Sequence, residues 1–204
     1  MEQTLKRLAT MQRLQVAGLE LFYQNGYHNT SVDDILKKLD LSKGAFYYHF
    51  KSKEEFFISI IQNLIVQKVY SALVQPIEGK EDPFSIIENC LDASLETAEH
   101  NFFDNGFALS NFIAETQGKD PEVNTYLNDI LKIWEVALIT SLQKGKSDGF
   151  VARHVDSDGV AAYVISAYIG IRLQMASGNA KNLRYKFIQQ LRTYFRSLAP
   201  QAIH

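Results

Sequence analysis

From residue 4 to residue 25 the apolar side chains return every three or four positions, so that Leu14, Ala17, Leu21 and Phe22 share one side of a helix. Asn25-Gly26 ends that periodicity, and a glycine there suits the left-handed turn on which helices commonly close. A second apolar set, Val32, Ile35, Leu36 and Leu39, follows Ser31, with Asp34 three residues on completing a capping box. After the tight turn "DLS" at 40–42, Ser42 caps a third, very short helix that is expected to end near Phe50. Ser52 caps a fourth, and "FFISIIQNLIVQKVYSALV" makes the stretch 53–75 apolar over much of its surface, as in a helix buried between packed units. "QPIEGKEDP" at 75–83 reads as a linker. Asp82-Pro83 and Asp120-Pro121 each read as a cap followed by a first-turn proline, Asp156 as another cap, and "GKSDGF" as a break. Further helices are expected at 83–99, 104–117, 121–145, 156–177 and 180–198. No Val/Ile/Thr-rich segment alternates between hairpin turns, so the expected fold class is all-α with about nine helices. The expected division is an N-terminal three-helix domain with a helix-turn-helix at 1–52 and a larger helical domain at 53–204.

Composition changes this picture in one respect. With 46% hydrophobic and 22% charged residues, the 204-residue chain is an ordinary globular sequence, but its net charge of −2 is unevenly spread. Residues 1–53 carry a local +3 and the remainder a local −5, which makes the N-terminal part the one suited to a polyanion. Cys90 is the only cysteine, so no intrachain disulfide and no cysteine-built zinc site is available, and its apolar setting in "FSIIENCLDASL" points to a buried thiol. The histidines at 28, 49, 100, 154 and 204 show no metal-binding spacing. There is no glycine-rich phosphate loop after a strand and no nucleophile elbow. The chain is therefore not expected to be an enzyme, nor to hold a metal or cofactor. No apolar leader opens it, and no run reaches about 18 consecutive apolar residues, so a membrane span is expected to be excluded and the cytoplasm is the expected location.

The short third helix carries the chemistry. At about 100° per residue, Phe46 and Phe50 fall on one side, where they can plug the small core of the first two helices. Gly44, Tyr47 and Tyr48 fall opposite, with Lys43, Ala45 and His49 on the flanks. A residue without a side chain, set beside rings that donate and accept hydrogen bonds, suits close approach to a nucleic-acid groove. Lys53, opening the next helix, is placed to pin a neighbouring phosphate.

These residues resemble the DNA-binding domain of the TetR (tetracycline-repressor-like) family of bacterial transcription regulators. The likeness covers residues ~10–57 and rests on "AGLELFYQNGYHNTSVDDI" and "LSKGAFYYHFKSKEEFF", where Gly44, Phe46, Tyr47, His49, Phe50 and Lys53 meet a rather specific pattern. The resemblance implies operator contacts from Thr30, Ser31, Ser42, Lys43, Gly44, Ala45, Tyr47, Tyr48, His49 and Lys53. It also implies a homodimer on a (pseudo)palindromic operator, released by a small effector. Repression is the sign expected, although activators and co-repressed members also occur in the family.

The larger domain is then expected to sense and to dimerise. Phe103, Phe107, Asn111, Phe112, Glu115, Tyr126, Trp134 and Tyr168 offer aromatic surface beside a few polar groups, as a site for a hydrophobic or aromatic effector requires. Glu115 adds a preference for a cationic one. Tyr163, Ala167, Ile171, Phe187, Leu191, Tyr194 and Phe195 supply a broad stripe on the last two helices, read either as a four-helix dimer interface or as intramolecular core. An all-helical carrier or enzyme using the same pocket is the competing reading, and a DNA gel-shift separates the two.

Overall fold

The structure is a computed structural model that describes residues 2–79, 81–100, 108–176 and 180–200. Among these residues there are helices and turns but no strand. The helices are α1 (Glu2–Asn25), α2 (Val32–Leu39), α3 (Lys43–Tyr47), α4 (Lys53–Ile77), α5 (Pro83–His100), α6 (Ala108–Thr116), α7 (Pro121–Asp148), α8 (Ser157–Ala176) and α9 (Ala180–Leu198). The all-α reading and its nine helices hold for the described residues.

Local chemistry explains the boundaries. Gly26 follows α1 with φ +88°, and its N–H returns to the Phe22 carbonyl at 2.9 Å. The Ser31 hydroxyl accepts from the Asp34 N–H at 3.1 Å, while the Asp34 carboxylate accepts from the Ser31 N–H at 2.8 Å, a complete capping box. Ser42 and Ser52 cap α3 and α4 in the same one-sided way, through Ala45 and Glu55. The third helix closes sooner than expected, at Tyr47; a turn carries the chain on to Phe50, whose N–H still reaches the Phe46 carbonyl at 3.0 Å. Asp82 accepts from the Phe84 and Ser85 N–H groups ahead of α5, and Asp156 from Asp158 ahead of α8.

The capping box yields a prediction. Hydrogen bonds from the Ser31 side chain and backbone hold the Asp34 carboxyl below its ordinary value of 3.8. A folded-state pKa that is lowered stabilises above the unfolded value, and that stability is lost as pH falls through the folded one. Ser31→Ala is expected to lower the melting temperature by about 2–4 °C at pH 7, with the gap to the parent closing below the carboxylate range. Thermal melts at pH 7 and at acid pH check this.

The described chain divides into two compact units, residues 1–67 with 108–128 and residues 68–107 with 129–204. The first is built around rings. Phe56 meets Phe46 and Phe50 edge-on, with centroids 5.2 and 4.8 Å away, and Phe57 stacks on Tyr27 at 4.6 Å. Leu14, Phe22, Ile35 and Leu36 close the same core. Gly18 is required by it, because a Cβ there would stand 2.5 Å from the Phe56 ring.

In the second unit, α5 packs against α8 and α9. Phe84 stacks on Phe195 at 4.9 Å, and Trp134 meets Tyr168 edge-on at 5.3 Å. The Arg184 guanidinium donates to Asp92 at 2.7 Å, and Arg192 pairs with Glu88. Cys90 is buried, with its thiol on the Ala72 carbonyl and its pKa pushed up to about 12 by burial. Such a group is protonated at neutral pH and a poor nucleophile.

Lys53–Ile77 and Ser157–Ala176 are long and apolar enough, by length and hydropathy, to cross a membrane despite their scattered polar residues. In this fold Phe56, Phe57, Ile60, Ile61 and Ile65 of α4, and Val160, Ala161 and Val164 of α8, are buried against protein, so part of that apolar character serves the core, 39% of each apolar stretch being buried.

Candidate nucleic-acid interface

The segment 31–49 presents one polar face. Behind it, Phe46 is fully buried, so the orientation of α3 is set by packing of that ring among Phe50 and Phe56. In front, Tyr47 is 56% and Tyr48 71% exposed, large values for aromatic side chains. Gly44 lies exposed between them and the helix start, and a Cβ added there would meet only the Ser42 hydroxyl oxygen, at 3.8 Å. Ser31, Ser42 and Lys43 are exposed, Ala45 and His49 partly so.

The charges on this face are loosely held. The Lys43 ammonium pairs with Asp33 at 2.9 Å, but both side chains are more than half exposed. Hydrogen bonding to Asp33, with its charge, raises the Lys43 pKa, so the ammonium persists at neutral pH. An exposed pair of this kind is easily exchanged for a phosphate. The His49 imidazole is lowered by burial and by the nearby charge of Arg7, so at neutral pH it is an uncharged donor and acceptor.

Two of the expected contact residues have other work. Thr30 is only 1% exposed, and its hydroxyl donates inward to the Gly26 carbonyl at 2.8 Å and the Leu21 carbonyl at 3.2 Å. Lys53 is half-buried: its ammonium donates to the Tyr27 and Thr30 carbonyls at 3.0 and 3.2 Å and lies 4.4 Å from the Tyr27 ring centroid. Burial lowers its pKa, against the raising effects of Asp120 and Glu115. Both corrections have one cause: the turn at 26–30 must satisfy its own backbone groups, and these side chains do so.

Glu115 is also committed elsewhere than expected. Its two carboxylate oxygens accept the Tyr27 and His28 backbone N–H groups at 2.9 and 2.7 Å, and beside them His28 Nε2 lies 3.1 Å from an Asp120 carboxylate oxygen. Phe112, on the same helix, packs edge-on against Phe57 at 5.1 Å. Asn111 is exposed and Tyr126 half-buried. Phe112, Glu115 and Tyr126 fall in the first unit, whereas Trp134 and Tyr168 fall in the second. Phe103 and Phe107 lie outside the described residues.

Within the second unit, Tyr168 is buried and shares a 2.7 Å hydrogen bond with Ser94, while Arg172 donates to its hydroxyl at 2.9 Å. Ser94 also borders a groove of about 440 Å³ together with Ser71, Asn89 and Cys90. On the last two helices Tyr163 is exposed and touches Tyr194 at 4.7 Å, with Ala167 and Phe187 half-buried. Ile171, Leu191 and Phe195 are buried inside the single chain, which leaves them little area for a partner. Tyr185 and Leu173, both 65% exposed, are apolar surface on the same two helices.

Comparison with known proteins gives a consistent likeness. Residues 15–60 match the family model described as bacterial regulatory proteins, tetR family. The chain is 27% identical over 201 residues to the HTH-type transcriptional repressor DhaR of Mycobacterium sp. strain GP1, covering 95% of this chain and 94% of that one. Among solved structures, a TetR transcriptional regulator from Chloroflexus aurantiacus J-10-FL superposes with a TM-score of 0.85 at 24% identity, covering 97% of this chain and 99% of that one. GusR of Salmonella enterica follows at 0.74 and 26%, over 94% and 95% of the two chains.

Proposed function

We propose, from the premise that this chain belongs to the TetR family of bacterial regulatory proteins, that it is a repressor whose dimer binds a (pseudo)palindromic operator and is released by a small hydrophobic or aromatic effector. Regulators of this family are ligand-responsive DNA-binding proteins that act as dimers, and they are not enzymes. The observation that carries the DNA-binding part is the outward face of α3, where exposed tyrosines flank a glycine whose backbone is open to solvent. The repressor sign is supported by the likeness to DhaR, a repressor matched over nearly its whole length.

In this reading residues 1–52 read DNA, and residues 53–204 carry the effector site and the dimer contacts. Ser31, Ser42, Lys43, Gly44, Ala45, Tyr47, Tyr48 and His49 form the reading surface, with Thr30 and Lys53 acting from behind it. The groove bordered by Ser71, Asn89, Cys90 and Ser94 offers a place for an effector, with the buried Tyr168 bonded to Ser94 behind it, and Tyr163, Ala167, Phe187 and Tyr194 supply the outer part of a dimer interface. The two recognition helices of a dimer must stand about 34–36 Å apart to enter successive major grooves. An effector that changes that separation abolishes simultaneous engagement, and bivalent affinity falls. Action on DNA places the protein in the cytoplasm.

Selection of bound fragments from a random DNA pool, followed by gel-shift at several salt concentrations, tests this reading. A retarded band whose affinity falls steeply with salt is expected, because neutralised phosphates release counterions. No enrichment of any sequence refutes it. On the enriched fragment, Lys43→Ala is expected to weaken binding and to reduce the logarithmic salt slope by about one, the signature of one lost phosphate contact. An unchanged slope with relaxed sequence preference assigns Lys43 to base reading instead.

A further inference from the structure

We propose that Glu115 is a positioning residue, whose carboxylate on α6 holds the turn at 26–30 so that α2 and α3 are presented to DNA at one defined spacing. This rests on the DNA-binding reading above.

The turn is gripped from both sides. Glu115 receives two consecutive backbone N–H groups, one on each oxygen, at 2.9 and 2.7 Å. Lys53 donates to two carbonyls of the same turn, those of Tyr27 and Thr30. Opposite charges thus saturate opposite ends of the peptide dipoles over four residues, and charge-assisted bonds are the strong ones. The His28–Asp120 pair at 3.1 Å ties the same turn to the residue preceding α7. The fit is close: a Cβ at Gly26 would stand 3.0 Å from a Glu115 oxygen, and the φ of +88° already calls for glycine there.

What the turn controls follows from connectivity. Thr30 and Ser31 lead directly into the capping box of α2, and the Leu41 N–H bonds back to the Leu36 carbonyl before α3 begins. Ile35, Leu36 and Phe46 are buried in one core, so α2 and α3 move with the turn as a body. Only a carboxylate can accept the two N–H groups on two separate oxygens, as they are held here. An amide of the same shape offers one oxygen and turns an NH2 group against the other donor.

The test uses the full chain and operator fragments from the random-pool selection, with the half-site separation also changed by one base pair in each direction. Parent, Glu115→Gln, Glu115→Ala and a control, Glu122→Gln on the exposed first turn of α7, are compared by gel-shift. Both Glu115 variants are expected to lose about tenfold in affinity on the selected spacing. They are also expected to bind the three spacings within about twofold of one another, where the parent and the control favour one. If Glu115→Ala does not fold, the isosteric Glu115→Gln carries the comparison. A contact that merely stabilises the fold lowers all three affinities by the same factor and keeps the preference. That result, or unchanged affinity, overturns the proposal. Failure of the parent to bind any fragment overturns the DNA-binding reading and the proposal with it.

Discussion

Gly44→Leu is expected to leave the melting temperature unchanged or higher while operator affinity drops by on the order of 100-fold. Within the protein there is room for the side chain, since a Cβ would touch only the Ser42 hydroxyl oxygen at 3.8 Å. The backbone of α3 is ordinary helix, so replacing its glycine removes an entropic cost of up to about 1 kcal/mol. On isolated-protein grounds a glycine at this position is therefore a poor choice. Close approach of a groove to the backbone supplies the missing reason, and an isobutyl group would stand in that gap. Stability and binding should thus move in opposite directions. A Gly44→Leu protein that binds the selected fragment like the parent shows that α3 does not approach DNA by this face.

The second large effect lies behind the face. Phe56→Ala is expected to cost about 3–5 kcal/mol in unfolding free energy, measured by urea denaturation. The Phe56 ring is fully buried and touches Phe22, Phe46 and Phe50, with centroids 6.0, 5.2 and 4.8 Å away. It also occupies the space that Gly18 leaves open, so truncation opens a cavity bordered by rigid rings that cannot collapse into it. The loss is a large part of the 5–15 kcal/mol typical of a native domain. DNA binding should fail with it, because the Phe46 ring that orients α3 packs against Phe56. A cost below about 1 kcal/mol would mean that the ring cluster does not hold the module.

The two experiments separate what the sequence made legible from what it did not. Helix starts were readable because serine and aspartate caps act over three residues: Ser31, Ser42 and Asp82 perform locally as their spacing implies. The inward and outward sides of α3 were readable from helical period, with Phe46 buried and Tyr47 and Tyr48 exposed. Thr30 and Lys53 misled because a polar residue at the edge of a reading face can equally satisfy backbone groups beneath it. Local pattern does not distinguish the two. Glu115 was beyond reach for another reason: its partners are Tyr27 and His28, more than eighty residues away, and no periodicity encodes such a contact. The aromatic stripe from Phe112 to Tyr168 likewise gave residue types without saying that they fall in two separate compact units. Leu191 and Phe195 were apolar at helical spacing, which fits a partner's surface and the chain's own core equally well.

Fluorine NMR of protein carrying 3-fluorotyrosine, titrated with the selected DNA fragment, tests the central claim most directly. The signals of Tyr47, Tyr48 and Tyr168 are assigned by single replacement with Phe. The two exposed rings should shift on binding, and that of Tyr168, buried against Trp134, should stay. Resonances of Tyr47 and Tyr48 that remain in place while the DNA is fully bound would contradict a reading surface on α3.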